Sequence, residues 1–190
     1  MKFKFEKKNL KNILISLGIC LVLIIIDQIT KVIAVKNLSV HNHVPFIKGI
    51  IEFNLSYNTG FAFGLGDGYQ WLWAIVSIIG CVIIVYFMQN VDFKKNIVYT
   101  LSLILIFSGT FGNMIDRIFS SKGVIDFIDP VFMDFAIFNV ADSYITIGAI
   151  LLAVYILFIY KDPEETKIEP TNEIDETSTT NNDEGGAGNE

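Results

Sequence analysis

IVYTLSLILIFSGTFGNMIDRI, residues 97–118, is apolar for most of its length and then abruptly polar. Gly109, Gly112, Asn113, Asp116 and Arg117 all fall in its second half. A helix of about 20 mostly apolar residues crosses a bilayer core of roughly 30 Å. The stretch therefore predicts a membrane span that carries its polar residues toward one end. Three more segments meet the same criterion, at 13–35, 71–88 and 138–160. Trp71 and Trp73 open the second, where amphipathic rings favour an interface.

The composition agrees with four spans. The 190 residues are 52% hydrophobic and only 18% charged, where a soluble domain approaches about a quarter. Half of the twenty acids lie in residues 161–190, beside two lysines, so the net charge of -6 describes that tail and not the body. Nothing in this balance suits nucleic acid or another acidic partner. Residues 1–160 are expected to form one membrane domain. The Glu-, Asn- and Thr-rich tail at 161–190 buries too little to fold and is expected to be disordered. Cys20 and Cys81 sit in apolar runs without metal-ligand spacing and read as small buried hydrophobes. No small-x-small cleavage site follows the first apolar run, so it reads as an uncleaved span.

Lysine bias sets the orientation. Lys2, Lys4, Lys7, Lys8 and Lys11 precede the first span, and Lys94 and Lys95 lie in the 89–96 turn. Both termini and that turn are thus expected on the cytoplasmic side. The 36–70 and 119–137 connections then face outward. In the first of these, Phe53, Leu55 and Tyr57 alternate with Asn54, Ser56 and Asn58, a strand pattern ended by a turn at Asn58-Thr59-Gly60. A small sheet on the outer membrane surface, within 46–66, follows. The fold class is all-α membrane with a small extracytoplasmic β-sheet.

With this topology the polar residues of the spans converge on one face. Asp27 and Lys31 lie near the outer end of the first span, Asn113, Asp116 and Arg117 at that of the third. Asn139 and Asp142 begin the fourth, and Asp126 lies in the outer loop before it. Such groups are costly in a membrane and by default mark function. Asp27 and Lys31 are four apart and can pair as a helix anchor. Asp116 beside Arg117 reads as a structural ion pair, Asn139 as an N-cap, and Asp129 and Asp134 as solvated loop acids. His41 and His43 read as surface residues. Gly109 and Gly112 would let another helix approach closely. Asp126, flanked by Val124, Ile125, Phe127 and Ile128, and Asp142, opening an apolar helix with no base beside it, are the acids without an evident structural reason. Two close carboxylates share a proton and can hydrolyse a peptide by general acid–base chemistry. Paired acids also suit a proton-coupled carrier, although a carrier would place them nearer the midplane. A structural polar cluster in an assembly protein is the third reading.

Five blocks decide among these by resemblance: DQITK at 27–31, YNTGFAFG at 57–64, GTFGNMIDR at 109–117, VIDFID at 124–129 and FNVADS at 138–143. In order and spacing the chain closely resembles the lipoprotein signal peptidases (signal peptidase II), aspartic endopeptidases of bacterial membranes. The resemblance implies a catalytic dyad of Asp126 and Asp142. It also implies a supporting shell of Asp27, Lys31, Asn58, Asn113, Arg117 and Asn139, with Gly109 beneath it. Asn113 and Arg117 would orient the substrate or the dyad, Asn139 would polarise the scissile carbonyl, and Asp27 with Lys31 would fix the helix end. The implied substrate is a prolipoprotein signal peptide cut just before a diacylglyceryl-modified Cys, with membrane lipid as neighbour and globomycin as inhibitor. The implied setting is the bacterial cytoplasmic membrane, with the site opening outward. No metal or cofactor is implied, and one copy supplies every site residue, so a monomer is expected. Phe61 departs from the family, which commonly has Ala there, and a larger ring would reshape the substrate rim.

Overall fold

The computed structural model describes residues 7–40, 43–60, 66 and 68–160. Phe61, His41 and the 161–190 tail lie outside the described residues, as do the first six positions. Helix α1 spans Lys7–Asn37, α2 Gln70–Phe87, α3 Ile97–Phe119 and α4 Val140–Val154, the last continued by a π-helical turn at Tyr155–Ile159. All four are long and apolar enough to cross a membrane. Phe138 and Asn139, expected inside the fourth span, precede α4 instead.

The mean hydropathy of each helix explains its place. α3 is the least apolar of the four at 1.6, and half of its apolar window is buried inside the protein, against 17%, 22% and 6% for the others. It is the central helix, touching α1, α2 and α4. The outer helices leave Leu, Ile and Val side chains exposed along their length, as a lipid-facing surface does. Around the α3 segment Leu103–Phe107, the core gathers Cys20, Cys81, Met88 and Val91. Both cysteines are free. Gly109 and Gly112 are the points of closest approach. A Cβ on Gly109 would collide with the Ala141 carbonyl of α4, and one on Gly112 would meet Asp27 Oδ2 of α1.

Three antiparallel strands, β1 (Val44–Ile47), β2 (Ile51–Asn58) and β3 (Val124–Asp129), form a sheet in that order. The expected strand around Phe53–Asn58 is β2. The segment around Asp126, expected as outer loop, is strand β3, and VIDFID shows no period-2 alternation. Its residues are buried on both faces, with Val124, Asp126 and Phe127 inside, which removes the alternation. The β2–β3 register sets Ser56 opposite Asp126 and Asn58 opposite Val124, with an irregularity between Phe53 and Ser56. Gly123, at φ 100°, turns the chain into β3 so tightly that a Cβ there would strike the Asn58 backbone. At the far end of β3, Ile128 and Phe138 exchange backbone hydrogen bonds of 2.8 and 3.0 Å. That bridge delivers Asn139, and with it the start of α4, to the side of Asp126.

Candidate active site

Each acid is held by a different element. Asp126 sits mid-strand on β3 and is 3% exposed. Asp142 is the third residue of α4, where it closes a reciprocal capping box with Asn139. Asn139 Oδ1 accepts from the Asp142 N–H at 2.9 Å, and Asp142 Oδ2 accepts from the Asn139 N–H at 3.1 Å. The expected N-cap is thus present, and Asp142 has the structural partner that its sequence neighbourhood did not reveal. Asn139 also donates its side-chain amide to Asp126 Oδ1 at 2.7 Å. One fully buried asparagine touches both acids.

Asn113 completes the link. Its Oδ1 accepts from Lys31 Nζ at 2.9 Å and from Asn139 Nδ2 at 3.0 Å. An ammonium only donates, so this contact fixes which way the Asn113 amide faces. The Nδ2 is left to donate to Asp142 Oδ1, at 2.8 Å. Both asparagines therefore present N–H groups to the acids.

Behind them lies an ionic cluster. Lys31 Nζ is 2.9 Å from Asp27 Oδ2 and 2.8 Å from Asp116 Oδ2, with all three side chains at most 4% exposed. The expected Asp27–Lys31 pair exists. Asp116, however, pairs with Lys31 and not with its neighbour Arg117, because adjacent residues on a helix point in different directions. Gln28, which is not among the candidate residues, joins the cluster. Gln28 Nε2 donates to Asp27 Oδ2 at 3.1 Å and to Asp116 Oδ1 at 3.3 Å. Asp129, expected in a solvated loop, instead ends β3 and accepts from Asn54 Nδ2 at 3.2 Å.

Arg117 is the least committed member. Its Nη1 and Nη2 reach the Asn113 and Gly60 carbonyls only at 3.4 Å each, and its buried Nε has no partner among the described residues. The charges of Asp142, Asp126 and Asp116 act on its guanidinium without a direct ion pair among the described residues. Asn58 borders the same space, holding the Gly60 N–H at 2.9 Å and hydrogen-bonding Asp126.

Burial is the main influence on Asp126, and the neighbouring Asp142 charge adds to it. Together they push its carboxyl from the ordinary 3.8 up to about 7, against the opposing pull of Asn139, Asn58 and Lys31. An acid that keeps its proton up to near-neutral pH beside a second carboxyl is the arrangement that acid–base hydrolysis needs. Asp27, Lys31, Asn58, Asn113, Asp126, Asn139 and Asp142 thus share one hydrogen-bonded network, with Arg117 beside it. Gly109 contributes by letting α4, at Ala141, reach α3.

Comparison with known proteins agrees in extent and in kind. Residues 19–158 match the family model described as Signal peptidase (SPase) II. The lipoprotein signal peptidase of Streptococcus pyogenes serotype M2 is 39% identical over 134 residues, 70% of this chain and 87% of the relative. That of Listeria monocytogenes serotype 4a is 34% identical over 151 residues, 78% of this chain and 95% of the relative. A bacterial membrane enzyme solved by the in meso method is similar with TM-score 0.69 at 32% identity, over 84% of this chain and 93% of that one. With four apolar helices and this match across most of its length, the chain is a multi-pass membrane protein that belongs to the signal peptidase II family, a family of peptidases.

Proposed function

We propose that the protein is an aspartic endopeptidase that removes signal peptides from prolipoproteins, cutting before the diacylglyceryl-modified Cys. Asp126 and Asp142 are its catalytic pair. The observation that carries this reading is Asn139, which holds both acids at once while Asp126, buried, keeps its proton to about 7.

Asp142 acts first as base. It receives two N–H donors, from Asn113 and the Asn139 backbone, and lies in the first turn of α4, where the helix dipole favours negative charge. Asp142 takes a proton from water as the water oxygen bonds to the scissile carbonyl carbon. Asp126 gives its proton to the carbonyl oxygen, forming a neutral diol. In the second step a diol hydroxyl returns its proton to Asp126. The C–N bond breaks, and the leaving nitrogen takes the proton from Asp142. The products are a carboxylic acid and an amine, and the pair is restored.

The supporting roles follow from which donors are spent. Both N–H groups of the Asn139 side chain are directed at Asn113, Asp126 and the Ile125 carbonyl, so it holds the pair and does not polarise the substrate. Arg117 Nε has no partner among the described residues, and the guanidinium suits the substrate backbone. The expected orientation, with the termini cytoplasmic and the site facing outward, puts the pair on the side where exported chains emerge. Membrane lipid then surrounds the acylated substrate, the protein acts as a monomer, and globomycin competes for the site.

The test is product identity. A prolipoprotein with a diacylglyceryl-Cys is incubated with the purified protein and its products are weighed by mass spectrometry. Cleavage one bond before the modified Cys, with the unmodified precursor uncut, is the expected result. Cleavage elsewhere, or no preference for the modified form, contradicts it.

A further inference from the structure

Lys31 is fully buried and spends its three N–H donors on three acceptors from two helices: Asp27 of α1, and Asn113 and Asp116 of α3. A helix anchor would need only Asp27, four residues away on the same face. The two carboxylates that neutralise the ammonium have further partners, and these correspond. Asp27 Oδ1 accepts from the Ala141 N–H at 3.0 Å, the residue just before Asp142. Asp116 Oδ2 accepts from the Ile125 N–H at 3.4 Å, the residue just before Asp126. Each carboxylate thus accepts from the backbone N–H one residue ahead of one member of the pair, Asp27 closely and Asp116 more loosely. The third arm, through Asn113, reaches Asp142 itself.

We infer that Lys31 is a positioning residue whose three arms, through Asp27, Asp116 and Asn113, set where Asp126 and Asp142 stand relative to each other, with Asp116 as the arm that holds Asp126. The inference rests on the catalytic assignment proposed above. The peptide N–H groups of Ile125 and Ala141 belong to separate elements, β3 and α4, and a shared ammonium makes their separation a property of one junction. Gln28 reinforces it by donating to both carboxylates from the α1 side. The same junction places a fixed positive charge behind the pair. The charged groups acting on it are Asp27 on α1, Asp116 on α3, Asp126 on β3 and Asp142 on α4, and Arg117 on α3 acts on Asp116, Asp126 and Asp142 as well.

A displacement of about 1 Å at reacting groups can cost on the order of 100-fold in rate. The experiment uses the full chain in detergent or nanodiscs and a diacylglyceryl-modified prolipoprotein, with wild type and Asp126→Asn as references. Lys31→Met and Asp116→Ala are expected to lower kcat about 100-fold with KM changed by less than about threefold. Asp116→Asn keeps an oxygen for Ile125 and Lys31, so it is expected to recover most of the rate lost in Asp116→Ala. In Lys31→Met the alkaline limb of the pH–rate profile moves to higher pH, because a cation favouring ionised Asp126 is gone. Turnover per folded molecule equal to wild type in both variants, or an unmoved pH profile in an impaired Lys31→Met, overturns the inference. If Lys31→Met does not fold, the Asp116 pair decides: equal rates for Asp116→Ala and Asp116→Asn overturn it. Activity retained in Asp126→Asn would instead sink the catalytic assignment.

Discussion

Asp142 and Asn139 cap each other at the start of α4, each accepting a hydrogen bond from the other's backbone N–H, at 3.1 and 2.9 Å. The acid proposed as the base is therefore also part of the helix that carries it. The two roles separate by substitution. Asp142→Asn keeps an oxygen for the Asn139 N–H, whereas Asp142→Ala does not. Both are expected to be inactive, and Asp142→Ala is expected to be less stable than Asp142→Asn by about 1 kcal/mol. Thermal unfolding in detergent measures the difference; equal stability would mean that the box contributes nothing.

Asp126 makes stability depend on pH in a defined direction. Its carboxyl loses its proton at about 7 in the folded protein and near 3.8 ordinarily. Between these values the folded state holds a proton that the unfolded chain lacks, so stability falls as pH rises through the window and levels off above about 7. Asp126→Asn removes this dependence. The variant should melt above wild type at pH about 8, with the gap closing toward pH about 4. A gap that does not change with pH would contradict the burial of a neutral acid.

Gly109→Ala tests the helix contact beneath the pair. Its new Cβ would collide with the Ala141 carbonyl and the Ile145 side chain, so α4 must move away from α3. Overpacking of this kind costs roughly 1–3 kcal/mol. Activity should fall together with the melting temperature, since Ala141 adjoins Asp142. An active variant of wild-type stability would show that the contact is slack.

Ser121 lies exposed in the turn after α3, on the same end as the site, whereas Cys20 and Cys81 are buried. In whole cells, Ser121→Cys should react with a membrane-impermeant maleimide without permeabilisation. Labelling only after the inner side is exposed would reverse the orientation and face the site toward the cytoplasm.

Much of this arrangement was readable because membrane solvation makes polar residues conspicuous. Against the apolar run of 97–118, Asn113, Asp116 and Arg117 stand out, and the i,i+4 spacing of Asp27 and Lys31 correctly predicts their contact. Asn139, standing just before an apolar run, likewise signals an N-cap, though its reciprocal partner Asp142 was not evident. What stayed hidden depends on tertiary pairing. Strand β3 has no alternation because both of its faces are covered. Asp116 joins Lys31 across 85 residues of chain, a partner that no local rule supplies. Asn139 was expected to face the substrate, and only its hydrogen bonds show that its donors are already used.

The catalytic role of Asp126 and Asp142 is the central claim, and single-turnover cleavage by Asp126→Asn and Asp142→Asn tests it most directly. Each purified, folded variant is mixed in excess with a diacylglyceryl-modified prolipoprotein, and product is followed by mass. The account predicts a loss of at least about 1,000-fold in each, with the double variant little worse than either single one, because the two act as a unit. Near wild-type turnover in either folded variant would contradict it.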